Sequence, residues 1–212
     1  MENKNCKICR RLGVKLFLKG DRCLSPKCAM IKRPYAPGVK AKKRRSNLSE
    51  YAKELKEKQK LKNWYNLSEK QFSNYVRGIL NKGAMVENAS DALLRQLESR
   101  FDNVVFQMGV TKSRTQARQL ISHGFFLVNE RKNNIPSLQI KKGDKIKVHS
   151  KAVKKRNFQG ISSVLKKHKT PSWIRWTKIE RDKLEAEIIG APSLEEMAPP
   201  AEISSIFEFY SK

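Results

Sequence analysis

The sequence predicts an α+β fold: an N-terminal metal knuckle of four cysteines, an α-helical domain, and an inserted module of two helices plus a small β-sheet. Three observations predict it. All four cysteines fall between residues 6 and 28, in two close pairs. Apolar residues recur at helical spacing behind capping residues from about residue 49 to residue 121. Short β-prone runs punctuated by turn residues follow between residues 125 and 148. A chain of 212 residues suffices for one large or two small domains, each with its own core.

The cysteines come first. Cys6-x2-Cys9 and Cys23-x4-Cys28 can each place two thiolates on one metal ion, and the loop between them closes a tetrahedron. Gly20-Asp21 and Ser25-Pro26 supply turn chemistry beside and inside the second pair. Lys7, Arg10, Arg22 and Lys27 crowd the site, where they are expected to lower thiol pKa values and to face phosphates. Disulfides do not suit a reducing cytosol, and the βαβ setting of a redox CxxC is absent. Zinc is the expected metal, with an iron–sulfur cluster as the alternative for four thiolates. Four ligands leave no open position for water, so the site is expected to be structural. The metal is expected to fold the first ~35 residues, which carry too few apolar side chains to fold otherwise.

Residues 34–47 are punctuated by Pro and Gly and then strongly basic. They read as an extended arm with Lys40, Lys42, Lys43, Arg44 and Arg45 on phosphates. A helix is expected over about 49–63, its polar face carrying Glu54, Glu57, Lys58 and Lys62 at pairing distance. Ser68-Glu69-Lys70-Gln71 is a capping box, and Phe72, Tyr75, Val76, Ile79 and Leu80 continue at helical spacing as core. Asn81-Lys82-Gly83 stops that helix. Ser90-Asp91 opens the next, whose apolar face runs from Leu93 through Leu97, Phe101 and Val105 to Met108. Arg95 and Arg100 lie off that face, within reach of RNA or of carboxylates.

Ser113-Arg114-Thr115-Gln116 reads as a second capping box, with Ala117, Leu120 and Ile121 buried and Gly124 at the C′ position. Arg114 and Arg118 stand four apart near the helix N-terminus, where free N–H groups already favour phosphate and a guanidinium adds two parallel donors. Phe125–Asn129 reads as a strand, a second short β segment surrounds Ile135, and a third runs from Asp144 to Val148 after the Lys142-Gly143-Asp144 turn.

Charge gives the partner class. The chain carries 46 Lys+Arg against 20 Asp+Glu, a net +26, which points to a polyanion. Residues 1–45 hold 15 basic and 2 acidic side chains, residues 46–109 hold 10 and 8, residues 110–178 hold 18 and 2, and residues 179–212 hold 3 and 8. Two basic regions therefore flank a nearly neutral middle, and an acidic tail suits a protein neighbour. A membrane is not the expected polyanion: no apolar run spans a bilayer, and no signal-peptide or lipidation pattern is found. The nucleotide-binding and base-flipping signatures of an RNA-modifying enzyme are absent, and so is a DNA-binding finger spacing with a dimerisation stripe.

Residues 98–148 resemble an S-four domain, an RNA-binding module. The family pattern S-R-x-Q-A-x-x-L-I/V, H-G, V-N, I-P and K-x-G-D is matched by Ser113, Arg114, Gln116, Ala117, Leu120, Ile121, His123, Gly124, Val128, Asn129, Ile135, Pro136, Lys141 or Lys142, Gly143 and Asp144. Glu130 stands where the family often has the glycine of a tight turn. The flanks CKICRRLGVKLFLKGDRCLSPKCAM, LSEYAKELKEKQKLK, LSEKQF and FEFYSK extend the likeness from about residue 6 to residue 212. Together they resemble the bacterial-type small-subunit ribosomal protein S-four family in its cysteine-bearing form.

The resemblance implies RNA-facing roles for Lys112, Ser113, Arg114, Gln116, Arg118 and His123. It implies a non-enzymatic, cytoplasmic protein of the ribosome that clamps the 5′ domain of small-subunit (16S-type) rRNA early in assembly. It also implies neighbouring proteins S-five and S-three, mRNA near its entry path and an influence on decoding accuracy. The expected domains are 1–45 for the basic segment with its knuckle, 46–97 with 171–212 for the helical domain, and 98–170 for the RNA-binding domain. The chain is expected to return to the helical domain from about residue 171, anchored by Trp173, Trp176, Phe207, Phe209 and Tyr210.

Overall fold

The computed structural model describes residues 4–38, 47–81, 86–153, 155, 158–180, 183–192 and 199–211. The chain forms two units, residues 1–93 with 198–212 and residues 94–197. The basic arm of Lys40, Lys42, Lys43, Arg44 and Arg45, and the Lys82-Gly83 stop, lie outside the described residues. Among those described, no helix is long and apolar enough to cross a membrane.

The first unit is helical. Helices α1 (Lys4–Leu12), α2 (Asp21–Leu24) and α3 (Ala29–Lys32) carry or adjoin the cysteines. Leu12 and Leu16 are buried there, with Ile8, Val14, Leu18, Met30 and Trp64 packed around them. Helix α4 (Glu50–Trp64) begins at Ser49, whose hydroxyl accepts from the Ala52 N–H at 3.3 Å. Helix α5 (Glu69–Leu80) opens on a complete capping box: the Ser68 hydroxyl accepts from the Gln71 N–H, and the Gln71 side chain accepts from the Ser68 N–H, both at 3.3 Å. The two bonds satisfy opposed backbone donors at that end. Phe72, Val76 and Ile79 then bury one stripe, as their spacing predicts.

Helix α6 (Val86–Glu98) begins before Ser90-Asp91, so that pair lies within a helix and does not cap one. The long apolar face expected through Met108 is broken in two, because α7 (Phe101–Gln107) starts afresh after an extended Arg100 (φ −64°, ψ 137°). Segment 136–140 explains the break. The carbonyls of Leu138 and Pro136 accept from the N–H groups of Phe101 and Asp102, and Ile140 N–H donates to the Ser99 carbonyl. The start of α7 is capped by tertiary backbone bonds, which leave no local sequence signal.

The second unit is built on an antiparallel sheet of order β2-β1-β3-β5-β4. Helix α8 (Arg114–Ser122) leads through Gly124, at φ 68°, into β1 (Phe126–Val128). Strands β2 (Arg131–Asn133) and β3 (Lys145–Val148) flank β1, pairing Leu127 with Lys132 and with Lys147. The second segment thus ends before Ile135, which is exposed. Asn129 and Glu130 turn the β1–β2 hairpin at φ 49° and 64°, the geometry of a two-residue primed turn. The missing glycine is offset by side chains. Asn129 accepts from the Lys145 N–H at 2.9 Å and donates to Asp144 at 2.8 Å, and Glu130 pairs with Lys147.

Helices α9 (Ser150–Val153) and α10 (Ile161–Lys167) follow. The return expected at residue 171 is corrected by the strands that come next. Residues 174–188 form β4 (Ile174–Ile179) and β5 (Leu184–Ile188), which complete the sheet beside β3. Leu184, Ala186 and Ile188 alternate inward, a period-two pattern that suits a half-buried strand. Trp173 and Trp176 join the same core as Phe101, Met108, Ile121 and Phe126. The helical unit regains the chain only near residue 198, where α11 (Ile203–Ser211) packs on α4 and α5 through buried Ile206 and Phe207.

Candidate nucleic-acid interface

The N-terminus of α8 is a candidate anion site because its first N–H groups lack helical partners. The Ser113 hydroxyl satisfies one, accepting from the Gln116 N–H at 3.3 Å. The reciprocal half of the box is shifted by one residue: the Gln116 carbonyl oxygen accepts from the Lys112 N–H at 3.1 Å. Lys112 and His123 are exposed at the two ends of this helix, Gln116 is half-buried, and Ser113 is buried.

The arginines of α8 are anchored from behind. Arg114 is 8% exposed, donates through Nε to Asn103 Oδ1 at 2.7 Å, and lies 4.6 Å from the Phe106 ring centre. Asn103 in turn donates to Glu98 Oε2 at 2.5 Å, and Gln107 donates to the same oxygen at 3.3 Å. Arg118 donates to Asp102 Oδ2 through Nε at 3.0 Å and Nη2 at 2.6 Å. Arg100 donates to both oxygens of Asp102, Nε to Oδ1 at 3.1 Å and Nη2 to Oδ2 at 2.8 Å, so it shares Oδ2 with Arg118. Sequence alone allows Arg100 either RNA or a carboxylate, and the structure gives it the carboxylate. Arg114 and Arg118 fix α8 against α7, so much of their donor capacity faces inward. Fully solvated phosphate forks are not what the fold makes of them.

At the opposite end of α8 lies a cleft that the sequence does not reveal. It has a volume of about 220 Å³ and is lined by His123, Gly124, Phe125, Lys132, His149, Ala152 and Lys155. The His123 ring stacks on Phe125 with centres 5.6 Å apart at 25°, and Lys155 Nζ sits 4.3 Å from the centre of the Phe125 ring. Of these residues, the family motif marks only His123 as RNA-facing. The others come together through pairing of β1 with β2 and β3, which no local motif announces.

The four cysteines form no disulfide, and all four line one small apolar cavity of about 20 Å³. Cys6 and Cys9 lie one turn apart on α1, Cys23 lies in α2, and Cys28 is the N-cap of α3. Lys19 N–H donates to Cys23 Sγ at 3.4 Å. Their convergence and sulfur donor set fit a thiophilic ion. Among the described residues no group of three or more His, Cys, Asp or Glu is drawn together tightly enough to mark a metal site. Burial pushes the Cys9 thiol pKa up, a backbone bond at Leu16 opposes this, and the other three cysteines add to the rise. No basic side chain contributes, so the expected lowering by the flanking cations is corrected for Cys9. Arg10 turns inward, donating to the Tyr35 carbonyl at 2.8 Å with its guanidinium 5.0 Å from the Tyr35 ring centre. Lys7, Arg22 and Lys27 remain exposed.

Comparison with known proteins adds the lineage. Residues 1–98 match the family described as ribosomal protein S4/S9 N-terminal domain, and residues 99–146 match the S4 domain. A protein of Solidesulfovibrio magneticus named small ribosomal subunit protein uS4 is 43% identical over 208 residues, covering 98% of this chain and 96% of its own. Proteins of the same name from Thermotoga maritima and Thermus thermophilus are 40% and 42% identical, each again covering 98% of this chain and 96% of its own. With residues 1–146 matched by the two family models and the likeness to these relatives running nearly end to end, the chain belongs to the small ribosomal subunit protein uS4 family.

Proposed function

We propose that this chain is a structural, non-enzymatic protein of the small ribosomal subunit, resident in the cytoplasm and bound to small-subunit (16S-type) rRNA. The observation that carries the reading is kinship over 98% of the chain to proteins bearing that name. The charge map agrees, since residues 110–178 hold 18 basic and 2 acidic side chains. Shape and phosphate readout suit folded RNA, whose deep groove hides base edges. Lys112, Ser113, Gln116 and His123 would meet RNA along α8, with Arg114 and Arg118 holding that helix rigid and adding charge. Lys7, Arg22 and Lys27, with Lys40, Lys42, Lys43, Arg44 and Arg45 of the arm, would form a second basic surface, braced by Arg10.

The finer reading is a clamp on the 5′ domain, in which two basic surfaces hold separate RNA helices in one geometry for later proteins. Family resemblance supports S-five and S-three as neighbours, mRNA near the entry path and a contribution to translational accuracy. The chain should sediment with small-subunit particles in moderate salt. Recovery as free protein, or turnover of RNA into product, would contradict the reading.

Cys6, Cys9, Cys23 and Cys28 would hold zinc, or an iron–sulfur cluster, as a structural group. The shared cavity and thiol donor set support this. The ion would supply a cross-link that orders the N-terminal segment. Metal analysis should return about one zinc per chain, and a chelator should expose that segment to protease. Unchanged proteolysis with no metal present would refute it.

A further inference from the structure

The cleft at the end of α8 differs from the arginine cluster at its start in one respect that decides its chemistry. Asn103 accepts from Arg114 and Asp102 accepts from Arg118, whereas no carboxylate lines the cleft among the described residues. Its cationic walls, Lys132 on β2 and Lys155 after α9, are both exposed. Gly124 makes room for this arrangement. A Cβ added there would collide with Lys132 Cε and lie 3.1 Å from its Nζ, so the lysine chain crosses directly over the glycine. The exposed His123 ring has one face against Phe125 and lines the cleft. Ammonium groups and a flat ring around about 220 Å³ match a nucleotide unit: a phosphate between lysines and a base against an aromatic ring.

We infer that this cleft, formed by His123, Gly124, Lys132, His149 and Lys155, seats one unpaired nucleotide of the bound RNA. The phosphate lies between Lys132 and Lys155, and the base stacks on His123. The inference rests on the rRNA reading above and adds Lys132, His149 and Lys155 to the His123 that the motif already marks. Unpaired nucleotides occur at helix junctions, where backbones bend and bases splay out.

The test uses the full chain and a 5′-domain transcript of small-subunit rRNA, over a salt series. K132Q/K155Q should weaken binding about tenfold and flatten the salt dependence by about 0.7 in log–log slope for each phosphate no longer engaged. K132R/K155R should restore both. H123A should weaken binding by a similar factor while leaving the slope unchanged, because stacking releases no counterion. G124A keeps every charge but displaces Lys132, and should reproduce part of the K132Q loss. Failure of the unmodified chain to bind the transcript would sink the rRNA reading itself. Normal binding with K132Q/K155Q unaltered in affinity and slope would overturn the cleft alone. Competition by inorganic phosphate as effective as that by a short single-stranded oligonucleotide would make the cleft a free-anion site, and the nucleotide assignment would fall.

Discussion

Each unit holds a carboxylate between two cations, and the pair of triads separates what burial does from what charge does. Asp102 is 3% exposed at its side chain, between Arg100 at 2% and Arg118 at 27%. Glu69 is 49% exposed, between Lys58 at 8% and Lys62 at 15%. Around Asp102 water is excluded, so each lone pair needs a protein donor and removal of one partner strands the others. Around Glu69 water competes, and the ion pairs alone contribute little. Glu69 draws on aromatic neighbours for its role. The Tyr210 hydroxyl donates to it at 3.2 Å, and Lys58 Nζ lies 4.3 Å from the Phe209 ring centre. The buried triad sets the pose of helix α8, proposed above to meet RNA, while the exposed one fastens α11 to α4 and α5.

The sharpest way to break this contrast is Asp102→Ala. It leaves Arg100 buried without its carboxylate and should cost about 3–5 kcal/mol in urea unfolding. A loss no larger than that of an exposed pair would show that burial is not what distinguishes the two. Glu130→Gly should act in the opposite direction. It relieves a side chain held at φ 64° and gives up an exposed pair to Lys147, for a net gain of about 0.5–1 kcal/mol in the same assay. Glu69→Gln should cost no more than about 0.5–1 kcal/mol, screened further by salt.

The exposed triad also predicts two pH limits. Burial raises the Glu69 pKa, but bonds and charge from Lys58 and Lys62 outweigh it and leave the value below the ordinary 4.5. The folded state therefore favours the carboxylate. That stability is present above the ordinary value and is lost as pH falls through the lowered one. Burial, with Glu69 beside it, raises the Tyr210 pKa from 10.0 to about 12. Its contribution is whole below pH 10 and is lost as pH rises through about 12. In an ultraviolet titration of tyrosinate, Glu69→Gln should move the Tyr210 transition back toward 10.0. A titration unchanged by that substitution would separate Tyr210 from Glu69.

Local signals are legible in the sequence and tertiary ones are not. The Ser68–Gln71 box, the Phe72–Val76–Ile79 stripe and the Ser113 cap each act over short sequence distances, so the sequence displays them directly. The break at Arg100 depends on carbonyls of residues 136 and 138, and nothing near Arg100 announces it. Residues 174–188 carry a strand pattern in Leu184, Ala186 and Ile188, yet their tryptophan neighbours point as readily to a return to the helices. Of the site, His123 and Lys112 stand out by motif, while Lys132, His149 and Lys155 meet only once β1 pairs with its neighbours. The sequence places Arg114 and Arg118 on α8 but does not display their inward bonds, because Asp102 and Asn103 belong to the preceding helix.

The proposed function has a strongly basic chain, net +26, engaging a particular fold of rRNA through many phosphates. Binding to a 5′-domain transcript of small-subunit rRNA, across a salt series and beside a scrambled structured RNA, tests it most directly. Selective binding to the 5′-domain transcript, falling steeply as salt rises, is the expected result, since each phosphate contact releases counterions. Equal binding to both RNAs would contradict it, leaving a basic protein without a defined target.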